Sequence, residues 1–290
     1  MRDNRNSIHP MVIIKTGDTY DQIGERHGDF EDWISNILLS RGCELSIVVV
    51  DPRSGGKLPK FSFVSGIVIT GSHATVREDV PWIRQLSRWL QQALIHQVPI
   101  LGICFGHQLL AQCLGGVVTA RTSGAEIGSI PITVTKEGGK DPLFDSIPPT
   151  FAAQLIHWES AVRLPPEAVV LAHSLSEPHQ AFRVGPCAWG VQFHPEISKT
   201  IVTEYLDLLD PRLSAEGHDV NQLKALVTAT PYSTEVLRNF ATYVAGRPPP
   251  SSVTRICGLI FGGTFLNLIW ASVSPWIAWL AGVKEYGRGR

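Results

Sequence analysis

Pro99-Ile-Leu-Gly-Ile-Cys-Phe-Gly-His-Gln-Leu-Leu-Ala-Gln-Cys113 decides the fold. Ile100 to Ile103 is a short apolar run of strand length, and the residues from about Phe105 onward have helical character. Cys104 sits at the junction, with Gly102 two places before it and Gly106 two places after. That is the G-x-nucleophile-x-G pattern of a strained strand-to-helix turn, with cysteine where the familiar version has serine. Small flanking residues let the chain bend sharply and leave the sulfur open to a substrate. A helix N-terminus at the sulfur favours negative charge there, and the N–H of Phe105 is free to bind an oxyanion. The competing reading of this stretch alone is a buried structural cysteine between two packing glycines.

The stretches upstream repeat the same strand-and-helix alternation. Met11-Val-Ile-Ile14, Leu45 to Val50 and Val64 to Thr70 are continuous apolar runs, the mark of strands covered on both faces. Phe30, Trp33, Ile34, Ile37 and Leu38 recur at helical spacing, as do Ile83, Leu86, Leu90, Ala93 and Leu94. The second of these helices is expected over Val80 to His96, with Asp79 as N-cap and Pro81 in the first turn. Lys15 to Asp29 is polar and reads as a loop. Together these predict a doubly wound α/β fold: a mixed, mostly parallel sheet with helices on both faces. In such sheets the active site lies beyond the carboxyl ends of the strands, where Gly71 and Cys104 both fall.

After Gly115-Gly116 the pattern changes to short strands separated by turn signals: Val117 to Thr119, Ser129 to Thr135, Phe151 to Ile156, Val169 to Ala172, Gln180 to Val184 and Ala188 to Phe193. This half is mixed or antiparallel. A helix carrying Ile201, Val202, Tyr205, Leu206 and Leu209 follows, and Pro211 is expected to stop it. Two short helices, Val220 to Thr228 and Ser233 to Ala245, precede a Pro- and Ser-rich linker.

The chain has 290 residues and a formal net charge of −1, which gives no reason to expect a nucleic-acid partner. Cys43, Cys104, Cys113, Cys187 and Cys257 are odd in number, with no C-x-x-C pair. That argues against a disulfide framework or a metal site and for a reducing, cytoplasmic compartment. Met1 to Pro10 lacks the apolar core of a secretory signal. Ile256 to Val283 carries no charged residue and contains Trp270, Trp276 and Trp279. It is long enough to cross a bilayer, but Gly262-Gly263, Asn267 and Pro275 interrupt a clean helix. A membrane anchor or in-plane segment, a tail packed on the domain or a partner, and a non-native or poorly ordered extension stand as its three readings.

A cysteine nucleophile needs a base and a group to orient it. His194 ends the last strand in Gln192-Phe193-His194-Pro195-Glu196, and Glu196 can fix its tautomer, so Cys104, His194 and Glu196 form a candidate triad. Five segments resemble the class I glutamine amidotransferases, most closely the glutaminase domain of the GMP-synthase type. They are Ile69-Thr-Gly-Ser72, Leu101 to Gln108, Glu126-Ile-Gly128, His157-Trp-Glu-Ser-Ala-Val162 and Val191-Gln-Phe-His-Pro-Glu196. They occur in the family's order across roughly Met11 to Leu209.

The resemblance implies the flavodoxin-like fold of that family over residues 1–210, followed by C-terminal helices at 211–246, a linker at 247–255 and the apolar tail at 256–290. It implies glutamine hydrolysis through a thioester, without a cofactor or metal. Gly71 or Ser72 would join Phe105 in an oxyanion hole, and Gln108, His157 and Glu159 would line the substrate pocket. Ammonia would pass to a synthase subunit. A γ-glutamyl peptide hydrolase of the same fold is the alternative, and a glutamine-binding regulatory subunit is the non-enzymatic one. The sequence departs from the synthases at Ser72-His73, where they carry a further glycine and a proline, and at Trp158-Glu159, for a small residue and aspartate. His73 is expected at the surface or in packing, and His107 outside the chemistry.

Overall fold

The computed structural model describes residues 9–40 and 45–247. The apolar tail, Cys43 and Cys257 lie outside the described residues. In chain order the elements are β1 (Met11–Ile14), α1 (Asp21–His27), α2 (Phe30–Leu39), β2 (Ile47–Val50), β3 (Gly66–Ile69), α3 (Pro81–Ile95), β4 (Ile100–Ile103) and α4 (Phe105–Cys113). There follow β5 (Val117–Ala120), β6 (Glu126–Val134), β7 (Thr150–His157), β8 (Glu159–Arg163), β9 (Val169–His173), β10 (Ala181–Val184) and β11 (Ala188–Val191). Three helices, α5 (Lys199–Ala215), α6 (Val220–Leu226) and α7 (Pro231–Ala245), close the described chain.

Among the described residues one sheet runs β2-β1-β3-β4-β11-β10-β9-β6-β7, and β5 pairs with β8 in a small second sheet. From β2 to β11 the pairing is parallel, and from β11 to β7 it is antiparallel. The mixed, mostly parallel sheet expected from the apolar runs is present, and the antiparallel half extends it directly.

Alternation along each strand divides the core in two. Met11, Ile13, Val68, Leu101 and Ile103 pack with Ile34 and Leu38 of α2 and with Val236, Leu237 and Phe240 of α7. Val12, Ile14, Ile67, Ile69 and Ile100 point the other way, onto Leu86 and Leu90 of α3 and Leu109 and Leu110 of α4. Full burial of one such side chain contributes roughly 1.5–3 kcal/mol. A third cluster joins Ile23 of α1 and Phe30 to Ile201, Tyr205 and Leu209 of α5, at the end of the sheet where the strands finish.

Three local expectations fail, each for a physical reason. Asp21–His27 is a helix and not a loop. It buries only Ile23, and a seven-residue helix with one buried side chain leaves no periodic signal. Val80, without a side-chain bond, and not Asp79, precedes α3, because Pro81 takes the first helical position. Asp79 instead accepts a hydrogen bond from Arg84. Pro211 does not end α5, which continues to Ala215 because Leu209 and Leu213, on either side of the proline, are both buried.

The crossover that matters for chemistry is β11. It lies beside β4 in parallel register, with Gly102 opposite Gly190 and Ile103 opposite Val191, and Cys104 N donates to Val191 O at 2.9 Å. Residues 104 and 194 are far apart in sequence, yet each leaves the same end of adjacent strands.

Candidate active site

Cys104 holds φ 49° and ψ −97° between β4 and α4. A non-glycine residue there is strained by roughly 1–3 kcal/mol, which the surrounding packing must hold in place. The flanking glycines are dictated by close approach. A Cβ on Gly102 would sit 2.3 Å from the Gly106 carbonyl oxygen, and one on Gly106 would sit 2.7 Å from that of Ile69. The bend thus presses α4 against β3 and β4 and leaves the sulfur at the sheet's end.

His194 comes to the sulfur from β11. Its backbone N–H donates to Gln154 O at 2.8 Å, which ties the turn to β7. Its Nδ1 bonds Glu196 Oε1 at 2.7 Å, and the ring lies near enough to Cys104 to feel its charge. Imidazole and carboxylate are both buried. Burial alone would lower the histidine's pKa, but the charges of Glu196 and Cys104 override it and raise it well above the usual histidine value. The ring is therefore held as an imidazolium against Glu196.

Phe105 is the first residue of α4, so its N–H has no carbonyl in the preceding turn to bond. Across the cleft, the Gly71 carbonyl accepts from Thr16 Oγ1 at 3.1 Å and Thr70 Oγ1 at 2.9 Å. In a trans peptide the N–H opposes the carbonyl, so this clamp turns the Ser72 N–H away from the two threonines. Ser72 lines the cleft. A Cβ on Gly71 would come within 2.9 Å of His194 Cε1, so position 71 has no room for a side chain.

The cleft over the sulfur has a volume of about 250 Å³. Gln108, on α4, donates through Nε2 to Glu159 O and to Gln192 Oε1, both at 3.1 Å. Among the described residues nothing donates to its Oε1. Glu159 lines the cleft, with its carboxylate tied to Thr75 Oγ1 at 2.8 Å and Arg77 at 2.6 Å. His157 also borders it, but both ring nitrogens face inward: Nδ1 meets Glu159 O at 2.8 Å and Nε2 meets Glu126 Oε2 at 2.9 Å. Its polar atoms brace the wall and are not turned to the cleft.

His73, expected at the surface or in packing, lines the cleft instead. The loop after β3 carries it to the mouth, where its ring lies tilted against Tyr20, with centroids 4.5 Å apart, and sits 3.4 Å from the Tyr205 hydroxyl. Burial, with the nearby charge of His194, presses its pKa down, so it stands as a neutral ring. The local sequence does not show what it faces, because Tyr20 and Tyr205 meet it only through the tertiary fold. His107 lies outside the cleft, fully buried against His179 O at 2.9 Å, and burial lowers its pKa to about 3.

A strained cysteine beside a histidine–glutamate pair, at the carboxyl end of a doubly wound sheet, has clear relatives. The family described as Glutamine amidotransferase class-I matches residues 25–207, and the chain belongs to it. Over 217 residues the chain is 30% identical to a GMP synthase (glutamine-hydrolyzing) of Aeropyrum pernix, covering 71% of this chain and 40% of that protein. It thus spans less than half the length of that relative. It is 30% identical over 170 residues to Gamma-glutamyl peptidase 3 of Arabidopsis thaliana, covering 57% of this chain and 68% of the peptidase. The crystal structure of a glutamine amidotransferase from Thermotoga maritima superposes with a TM-score of 0.66 at 22% identity, over 82% of this chain and 99% of that one.

Proposed function

We propose that the chain hydrolyses the side-chain amide of glutamine, with Cys104 as nucleophile, His194 as acid and base, and Glu196 as the group that orients His194. The observation that carries this is the convergence of Cys104 with the hydrogen-bonded His194–Glu196 pair, brought to the same end of adjacent parallel strands.

The Cys104 thiolate attacks the amide carbon, and the C=O electron pair moves onto oxygen. The N–H groups of Phe105 and Ser72 receive that oxyanion; one such donor is typically worth roughly 3–4 kcal/mol of barrier. The C–N bond then breaks as the His194 imidazolium gives its proton to the leaving nitrogen, and ammonia departs from a thioester. Water attacks the thioester while His194 takes its proton. The C–S bond breaks, and glutamate leaves with the thiolate restored. The Gln108 oxygen and the Glu159 carboxylate are acceptors suited to the substrate's ammonium group. Ammonia passes to a synthase subunit, as the glutamine-hydrolyzing relative's name suggests.

A γ-glutamyl peptide as substrate is the second reading. It is favoured by the extent of the cleft, which continues past the sulfur to Tyr20, Trp158, Leu209 and Arg212. The same chemistry serves, with an amine leaving in place of ammonia. The deciding experiment compares glutamine with glutathione, following ammonia, free amino acid and glutamate, with Cys104→Ala as control. Ammonia release from glutamine is expected. Turnover of glutathione alone overturns the glutaminase reading, and negligible turnover of both leaves a regulatory binding module.

The threonine clamp gives a further prediction. Thr70→Val removes the donor to Gly71 O and also the acceptor of the Thr16 N–H, a 3.0 Å bond. The oxyanion exists only beyond the ground state, so kcat should fall by about tenfold to a hundredfold with KM little changed. Steady-state kinetics reads this split. A rise in KM at constant kcat would place the clamp's effect on substrate binding instead.

A further inference from the structure

Behind the cleft wall lies a buried polar cluster that the triad does not use. At its centre is Glu126, on β6, 5% exposed. Its Oε1 accepts from Ser174 Oγ and Ser176 Oγ, both at 2.7 Å. Its Oε2 accepts from Gln180 Nε2 and pairs with His157 Nε2, both at 2.9 Å. Arg121 adds a positive charge 3.8 Å away. Burial disfavours the ionised carboxylate, but the hydrogen bonds from His157, Ser174 and Ser176 outweigh it and hold the pKa well below the usual range.

The cluster reaches the cleft through one residue. Antiparallel pairing of β6 with β7 sets Glu126 opposite His157. His157 Nδ1 then donates to Glu159 O at 2.8 Å, and Gln108 Nε2 donates to the same carbonyl at 3.1 Å. Ile156 O faces the Cys104 sulfur at 3.9 Å. The Glu159 carbonyl that ends the segment from Ile156 to Glu159 is therefore held both by the helix behind the nucleophile, through Gln108, and by Glu126, acting through His157.

We propose that Glu126 is a positioning residue: by holding the His157 ring, it sets the 156–159 wall of the cleft at the spacing from Cys104 that seats glutamine. This rests on the glutaminase reading above. A charged, fourfold hydrogen-bonded carboxylate fixes a ring's orientation in a way that a neutral amide, with one donor group and one acceptor, does not. The wall contacts the bound substrate rather than the developing oxyanion, so its loss weakens binding more than the chemical step.

The test uses the full chain with Glu126→Gln. KM for glutamine should rise about tenfold while kcat stays within about threefold, the pattern of a lost binding interaction. Two alkylators of Cys104 give the independent readout. Iodoacetamide, too small to need the wall, should react at the wild-type rate, and a glutamine-shaped chloroketone should react about tenfold more slowly. Ser176→Ala removes only one donor to the carboxylate and should shift KM and chloroketone labelling the same way, by about twofold to threefold; it decides the matter if Glu126→Gln does not fold. Unchanged KM and chloroketone rates, or an equal fall in both labelling rates and kcat, overturn the positioning role. If wild type neither turns over glutamine nor is labelled by the chloroketone, the glutaminase reading fails and this inference falls with it.

Discussion

Cys104→Ala should lower kcat for glutamine by about a millionfold, the order expected when a covalent nucleophile is removed from a triad. The fold should survive, because the side chain is small and its contact with Ile156 O, at 3.9 Å, is weak. The glycine-framed bend stays, and Thr16 and Thr70 still hold the Gly71 carbonyl, so glutamine should still bind. A second consequence is electrostatic. Burial opposes the charge on His194, and the Glu196 and Cys104 charges override it. Removing the sulfur withdraws one of those supports, so the histidine's pKa should fall, which ring-proton NMR titration would register. The sign for stability follows from a pKa raised in the folded state. The stability linked to the charge is complete below the ordinary histidine pKa and is lost as pH climbs through the raised value. In the variant the loss should be smaller and complete at lower pH. Equal turnover by variant and wild type would falsify the nucleophile assignment.

Legibility from sequence follows how local each cause is. Gly102, Cys104 and Gly106 announce their bend because the close approaches that demand glycine involve the segment itself and the strand beside it. The two-faced strands announce the sheet, since alternation of Met11 and Ile13 against Val12 and Ile14 is invisible when both faces are apolar, and the continuous run itself is the signal. His194 and Glu196 can be paired by reading because two residues separate cause and effect. The Thr16–Thr70 clamp cannot, because it exists only where β1 and β3 lie side by side in register. His157 shows the same limit. Its motif places it at the pocket, but its ring partner Glu126 is set by the antiparallel register of β6 and β7. His73 depends on Tyr20 and Tyr205, which arrive on the loop before α1 and on α5 respectively. A two-residue departure from the synthase pattern marked its position without revealing what it faces.

Glu196→Gln should reduce kcat by about a thousandfold to ten-thousandfold, with KM less affected. The reason lies in which end of the new amide turns to the ring. Glu196 Oε1 bonds His194 Nδ1 at 2.7 Å, while Oε2 is buried with no partner among the described residues. Placing the amide NH₂ at the Oε2 position would bury an unpaired donor, which costs about 1–3 kcal/mol. Turning NH₂ toward the ring avoids that cost only if Nδ1 gives up its proton. The surviving proton then sits on the nitrogen facing Cys104, and the ring can no longer receive one from the nucleophile or from water. Either orientation removes the negative charge that sustains the imidazolium, so the two effects act together. The stability gap between wild type and variant should be widest below the ordinary histidine pKa and should narrow as pH rises through the raised one. Thermal melts across that range, run beside kcat, separate the two consequences. A variant within tenfold of wild-type kcat would mean that Glu196 serves the turn after β11 and not the histidine.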